Sequence, residues 1–141
     1  MERIKKYLEK HNTMTLATVG KKGISAAAVF YAETKKGDYL VFVSSPNSEH
    51  IKNSLVEKKG AVTIQNDGLE WEFIKGIQLK GNIELAEQND WDTYFEKFPY
   101  IEDNETLSKS LKKVNLYKFT ISWARLIDNS KGFGNRLEID L

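Results

Sequence analysis

The sequence predicts a mainly β protein, an antiparallel barrel or sandwich with a few helices covering its open parts. Short apolar or alternating runs recur along the 141 residues, and glycine or Asn-Gly type turn signals separate them. The runs between Met14 and Val43 are joined by turns too tight for the crossover connections of a parallel sheet. Residues 1–141 are expected to form one domain, since a chain of this length buries about two thirds of its surface on folding.

The N-terminal third predicts one helix and three strands. Apolar residues at helical spacing among Glu, Lys and Arg predict a short amphipathic helix at the start, and they are Ile4, Tyr7 and Leu8. Two β-rich runs, Met14–Val19 and Ile24–Ala32, flank a glycine turn and predict a hairpin. The continuous apolar run Tyr39–Val43 predicts a strand buried on both faces.

The middle of the chain predicts a helix followed by two strands. Polar residues that favour helix caps follow Val43, and Ile51 and Leu55 then lie four apart among polar neighbours, which predicts a helix. Ala61–Ile64 resumes β character, and Trp71–Leu85 is typical of a long strand. Glycines inside this last strand, at positions 76 and 81, indicate bulges or bends.

The C-terminal part predicts helices and then a long strand. An aromatic stripe at helical spacing predicts one helix, and it consists of Trp91, Tyr94, Phe95 and Phe98. Leu107 and Leu111 predict a second, weaker helix. Asn115–Ile127 alternates, and the expected apolar face is Tyr117, Phe119, Ile121, Trp123 and Ile127. Arg125 falls on that face, so its guanidinium must find an anion, a carbonyl cluster or the sheet rim. Leu137–Leu141 is consistent with a last short strand.

Composition excludes several kinds of site. Basic and acidic side chains number 21 and 20, so no global field attracts nucleic acid or an acidic membrane. The chain has no cysteine, which excludes disulfides, thiolate metal sites and a cysteine nucleophile, and its two histidines, His11 and His50, form no ligand-spaced pair. With no apolar run long enough to span a bilayer and no signal-like start, we expect a soluble, cytoplasmic protein without a metal.

The segment Ser44–His50 is the most informative candidate site. A buried strand ends there in clustered hydroxyls at the start of a helix, where free backbone N–H groups and the helix dipole favour an anion such as phosphate. A plain helix cap is the commoner explanation of the same residues. No Gly-x-Ser-x-Gly elbow accompanies these serines, so the sequence indicates no catalytic residue.

Two polar residues of the long fifth strand form a second candidate. Gln78 and Lys80 straddle Leu79 and therefore point to one face, where the amide could donate to and accept from a heteroaromatic ring. Equally, both side chains could face water.

Taken in order, several segments resemble the pyridoxamine 5'-phosphate oxidase-like family of flavin-binding split barrels, in particular an uncharacterised bacterial branch. The segments are Asn12–Thr18, Ala27–Tyr31, Ser44–His50, Ile74–Gly81, Asp128-Asn129 and Gly132–Gly134. The resemblance implies a six-stranded antiparallel split barrel that forms a homodimer, with FMN in the clefts between subunits. It also implies that the strand-to-helix loop holds the FMN phosphate.

Carried over to this sequence, the resemblance implies that Ser44, Ser48 and His50 match the phosphate loop of the family and that Tyr31 stands at a cofactor-contacting position. The other expected cofactor-binding residues, which would compensate for missing cations, are the strand-end hydroxyl of Ser45, Gln78, Lys80 and a tail arginine, Arg125 or Arg136. The oxidases carry a Lys where this chain has His50, and an Arg and a Lys five apart where it has Ala26 and Tyr31. Cationic contacts of the oxidases are therefore missing here.

The function that follows is an FMN-dependent oxidase or reductase acting on a small planar substrate, with electrons from a nicotinamide or a reduced flavin. The alternative is a non-catalytic dimer that binds flavin or heme as a carrier, sensor or stress-related protein. A third alternative is a scaffold whose cleft is vestigial.

Overall fold

The structure, a computed structural model, describes residues 1–141 and consists of seven strands and five short helices. The strands are β1 (Thr13–Gly20), β2 (Gly23–Glu33), β3 (Tyr39–Ser44), β4 (Lys59–Gln65), β5 (Lys75–Leu85), β6 (Asn115–Asp128) and β7 (Arg136–Asp140). The helices are α1 (Glu2–Glu9), α2 (Glu49–Val56), α3 (Asp90–Lys97), α4 (Tyr100–Asp103) and α5 (Glu105–Ser110). None of them combines the length and the apolar character needed to cross a membrane.

Six of the strands close into an antiparallel barrel, which confirms the predicted fold class. The strand order is β3-β2-β1-β4-β5-β6-β7, and β3 also pairs with β6, so the first six strands form a ring. The long β6 makes this possible because its first half pairs with β3 and its second half with β7. The seventh strand therefore extends the sheet without entering the ring.

The barrel interior holds the main core, and α1 covers one of its openings. Inward side chains of the strands join the α1 residues Ile4, Tyr7 and Leu8 in one apolar cluster, as the helical spacing predicts. The Tyr31 hydroxyl donates to the Leu8 carbonyl (2.7 Å), which ties α1 to β2. A second cluster forms outside the barrel, where α3 packs over β2 and β3; its members are Ala32, Val41, Tyr94, Phe98 and Leu116.

A bulge in β6 overturns one sequence-based expectation. Lys80 pairs with Trp123 and Gly81 with Ile121, so Ser122 is an extra residue without a partner on β5. The alternation changes phase there, because a one-residue shift moves every following side chain to the opposite face. Residues 117, 119 and 121 point inward as predicted, but from residue 123 onward the inward residues are Ala124, Leu126 and Asp128. The prediction that Trp123 and Ile127 share the apolar face is therefore wrong.

The glycine opposite the bulge has a steric reason. A Cβ built on Gly81 would lie 2.1 Å from the Thr120 carbonyl oxygen, which no side chain tolerates. The sequence-based expectation of an irregularity at this glycine agrees with the observed register shift.

Helix α2 lies against β1, in the segment where the sequence predicts a helix. Its buried residues are His50, Ile51 and Asn53, and the Asn53 amide donates to the Thr18 hydroxyl (3.1 Å). Leu55, four residues after Ile51, is 82% exposed. Polar contacts with β1, which the apolar spacing does not report, orient the helix.

Candidate functional site

Three predicted site residues meet where β3 passes into α2. Ser44 is the last residue of β3 and Ser48 directly precedes α2, and their hydroxyl oxygens are 3.1 Å apart. Nε2 of His50 lies 2.6 Å from Ser44 Oγ and 3.3 Å from Ser48 Oγ. Ser44 and His50 are both buried, so this cluster forms a buried polar patch in the strand-to-helix corner. We call these residues, together with Ser45, the loop cluster.

The loop cluster does not cap the helix. Ser48 holds the N-cap position of α2, but its side chain makes no cap hydrogen bond. Its hydroxyl donates instead to the Ser45 carbonyl (2.8 Å), and the Ser45 hydroxyl accepts from the Asn47 amide (3.2 Å). Because the first-turn amides of a helix have no intrahelical acceptor, the N-terminus of α2 keeps donors that no serine side chain uses. Ser48 therefore occupies the N-cap position, as the plain-cap explanation requires, but its side chain makes no cap hydrogen bond.

His50 is neutral in this setting. Burial lowers the pKa of its imidazole below the ordinary 6.5, since a charged ring would lose hydration. Its hydrogen bonds go to the Ser44 and Ser48 hydroxyls, and no carboxylate orients the ring. A serine and a histidine without an acidic partner do not form the arrangement of a nucleophilic triad.

A cavity of about 580 Å³ lies along α2, and its lining includes Asn47 and Glu49, the chain neighbours of Ser48, but no residue of the loop cluster itself. The turn between β1 and β2 brings Lys21 and Lys22 to the cavity, and α2 contributes Lys52. Its remaining lining residues are Asn53 and Val56. Three cations and one carboxylate make this cavity favourable for an anion. Nothing in the sequence itself indicates that the hairpin turn carrying Lys21 and Lys22 lies next to α2.

The other predicted residues form a second cluster on the outer face of the barrel. Gln78 pairs with Arg125 across β5 and β6, and the Arg125 Nη1 donates to the Gln78 Oε1 (3.3 Å). Arg125 Nε also donates to the Glu138 carboxylate on β7 (2.8 Å), which is the anion that the sequence demanded. The Lys80 ammonium and the Arg125 guanidinium lie 4.7 and 4.9 Å from the Trp123 ring centroid. We call this group the outer cluster; no hydrogen bond or ring contact joins it to the loop cluster within the chain.

Comparison with known proteins places this arrangement in a family. The family model described as pyridoxamine 5'-phosphate oxidase matches residues 1–128. The chain belongs to the pyridoxamine 5'-phosphate oxidase family. Members of this family are commonly dimeric, bind small molecules and commonly bind flavin.

Particular members resemble the chain over most of its length. A UPF0306 protein of Campylobacter jejuni is 26% identical over 137 residues, which cover 97% of this chain and 96% of that protein. The crystal structure of Campylobacter jejuni ChuZ gives a TM-score of 0.80 at 18% identity and covers 99% of this chain and 58% of ChuZ. HutZ, the heme storage protein from Vibrio cholerae, gives a TM-score of 0.68 at 18% identity, covering 85% of this chain and 88% of HutZ. The two structures share the split-barrel fold.

Tyr31 does not join either cluster. It holds the position where the oxidases of this family carry a lysine, but its ring is completely buried in the barrel. Burial also raises the pKa of its phenol far above 10, and its hydroxyl donates to the Leu8 carbonyl. A residue so enclosed cannot touch a ligand outside the core. Tyr31 is therefore a core residue, and the expectation that it binds a cofactor does not fit its position.

Proposed function

We propose that the protein is a homodimeric FMN-binding oxidoreductase acting on a small planar substrate, and that residues 1–141 form a single FMN-binding domain. The observation that carries the proposal is the uncapped N-terminus of α2 beside the hydroxyls of the buried Ser44 and the half-buried Ser48. Paired with a family that commonly binds flavin, this corner fits the phosphate of FMN.

The loop cluster supplies donors to a phosphate. The Ser44 hydroxyl is free to turn from His50 toward a ligand, because a hydroxyl rotates to suit its partners. The first-turn amides of α2 add neutral donors and the positive end of the helix dipole. Lys21, Lys22 and Lys52 of the neighbouring cavity supply the positive charge that Ala26 and Tyr31 do not provide. Ser45 holds the loop through its backbone carbonyl and its hydroxyl.

The outer cluster suits the edge and face of a ring. The Gln78 amide can donate and accept, Trp123 offers a flat surface, and Lys80 and Arg125 place positive charge beside it. Because no contact joins this cluster to the loop cluster in one chain, we propose that a second copy completes the cleft. FMN, when bound, supplies the electron-transfer chemistry, so no acid or base of the chain is required.

The test is an absorption spectrum of the purified protein followed by titration of the apoprotein with FMN. We expect Ser44→Ala combined with Ser48→Ala to weaken FMN binding at least tenfold, since hydrogen bonds to a charged group contribute about 1.5–3 kcal/mol each. The matched control is Ser54→Ala, which removes a hydroxyl that donates to the Ile51 carbonyl in the same helix. Equal affinity of the double variant and wild type would remove the loop cluster from the site.

A heme carrier is the second candidate, and the likeness to HutZ favours it. The same titration with hemin distinguishes the two, because a carrier binds hemin tightly and transfers no electrons. Steady oxidation of NADH or NADPH by the FMN-loaded protein supports the oxidoreductase. Tight hemin binding by a protein that ignores FMN supports the carrier.

A further inference from the structure

Two exposed aromatic rings lie side by side at the end of the molecule opposite the loop cluster. Trp71, in the segment between β4 and β5, is 74% exposed, and Phe133, after β6, is 80% exposed. Their ring centroids are 6.3 Å apart at 72°. β6 starts at Asn115, which pairs with Ser44, and ends at Asp128 beside this pair. At about 3.3 Å per residue, the 14 residues of β6 form a strand roughly 45 Å long that runs from the loop cluster to the aromatic pair.

Hydrogen bonds fix the two segments that carry these rings. Asn129 links them: its backbone amide donates to the Ile74 carbonyl (2.9 Å) and its side-chain amide to the Trp71 carbonyl (3.5 Å). Its side-chain oxygen accepts from the Gly134 amide (3.0 Å), next to Phe133. The backbone that carries the two rings is therefore held in place before any ligand arrives, which lowers the entropy cost of binding.

The cavity beside the two rings is aromatic and acidic. A cavity of about 440 Å³ is lined by Glu70, Trp71, Glu72 and Phe133, which are two aromatic rings, two carboxylates and no cation. The nearby Lys75 ammonium is paired with the Asp128 carboxylate (3.7 Å). Aromatic faces attract cations, Trp most strongly, and the carboxylates add to the same preference.

We propose that Trp71 and Phe133 form an open corner, here called the clamp, for a planar aromatic cation of the pyridinium class. The two rings meet edge to face, so the cation stacks on one ring and meets the other at its edge, and Glu70 and Glu72 supply the charge that selects a cation over an anion. This second ligand site goes beyond the flavin site and does not depend on it, because none of its residues belongs to the loop cluster or the outer cluster.

The test uses three probes that share one ring: 1-methylnicotinamide, which is a cation, nicotinamide, which is neutral, and nicotinate, which is an anion. Each is titrated into the apoprotein while the indole N–H signal of Trp71 is followed by NMR. The chain has three tryptophans, so Trp71→Phe assigns the signal. We expect the cation to bind at least fivefold more tightly than the anion, with the neutral probe between them.

Variants separate the clamp from its surroundings. Binding to the variants is measured by isothermal titration calorimetry, because Trp71→Leu removes the indole signal. Trp71→Leu and Phe133→Leu should each weaken binding of 1-methylnicotinamide at least tenfold, whereas Phe73→Leu, in the same 3-10 turn (Trp71–Phe73) but outside the cavity, should leave it unchanged. Glu70→Gln combined with Glu72→Gln should bring the three probes to similar affinity. The Ser44→Ala, Ser48→Ala variant should bind the cation like wild type, so failure of the flavin site and failure of the clamp are distinguishable.

Three results would overturn the clamp. The first is a Trp71 signal that none of the probes shifts. The second is a loss of affinity in Phe73→Leu equal to that in Trp71→Leu. The third is a Trp71→Leu protein whose sedimentation mass falls while its probe affinity is unchanged, which would show that a second copy of the chain covers these rings.

Discussion

At the scale of single residues, buried histidine links the loop cluster to the pH dependence of stability. Burial lowers the pKa of His50 below 6.5, so the unfolded chain binds more protons than the folded one below that pH. The contribution of the neutral His50 ring to the free energy of unfolding is fully present above pH 6.5, and it is lost as the pH falls toward the pKa of His50 in the folded state. His11 behaves in the same direction, through burial first and then the nearby charges of Lys97, Lys75 and Lys10.

We therefore expect the free energy of unfolding to fall between pH 6.5 and 5.5 by up to about 1 kcal/mol per histidine. His50→Gln should show a smaller fall than wild type, and His11→Gln combined with His50→Gln should be nearly flat in this range. Urea denaturation at each pH measures the difference. Asp128, whose pKa the Ser130 hydroxyl holds below 3.8, changes stability only at lower pH and does not interfere. Parallel curves for wild type and His50→Gln would contradict the neutral, buried state of this ring.

At the scale of elements, one lysine joins α1, β2 and α3. The Lys97 ammonium donates to the Glu33 carboxylate and to the His11 carbonyl, both at 2.5 Å, and lies 4.3 Å from the Tyr31 ring centroid. The side chains of Lys97 and Glu33 are only 17% and 16% exposed. Burial lowers the pKa of Lys97, and the pair with Glu33 opposes that effect.

Removing this cation should be costly because its partners stay behind. We expect Lys97→Met to lower the free energy of unfolding by about 1–3 kcal/mol, since the buried Glu33 carboxylate and the His11 carbonyl lose their donor. Lys109→Met is the matched control: Lys109 pairs with Glu105 on the surface of α5, where such pairs contribute about 0.5 kcal/mol or less. Urea denaturation of both variants tests this, and equal losses would show that Lys97 does not join the three elements.

Elements were predictable from the sequence where the signal is local, and were missed where it is not. Turn residues and alternation predicted the strands of the barrel, and the strand-end hydroxyls indicated the corner that holds Ser44, Ser48 and His50. The outward position of Arg125 was missed because the bulge at Ser122 is set by the register with β5, which alternation within β6 does not contain. The roles of Lys21 and Lys97 were missed for the same reason, since their partners come from distant parts of the chain.

At the scale of the whole molecule, the outer face of the hairpin β1–β2 is apolar and uncovered. Ile24 is 85% exposed, and Val19, Phe30 and small alanine side chains extend the same face. Contiguous apolar surface of this kind is typical of an interface. Members of the family are commonly dimeric, and a two-fold axis brings the same patch of both copies together.

The pairing can be tested by placing a charge in the centre of that face. Two Ile24→Lys copies would bring two ammonium groups into the contact, where like charges and their desolvation oppose association. We expect wild type to sediment at twice 16.2 kDa at micromolar concentration, and Ile24→Lys to dissociate at least tenfold more readily. Leu107→Lys, on the partly exposed α5 away from this face, should sediment like wild type. If wild type is monomeric, or if Ile24→Lys dimerises as strongly as Leu107→Lys, this face is not the dimer interface.

FMN affinity measured on the same samples then connects dimerisation to the candidate site. If a second copy completes the cleft, the affinity for FMN must fall together with the dimer fraction.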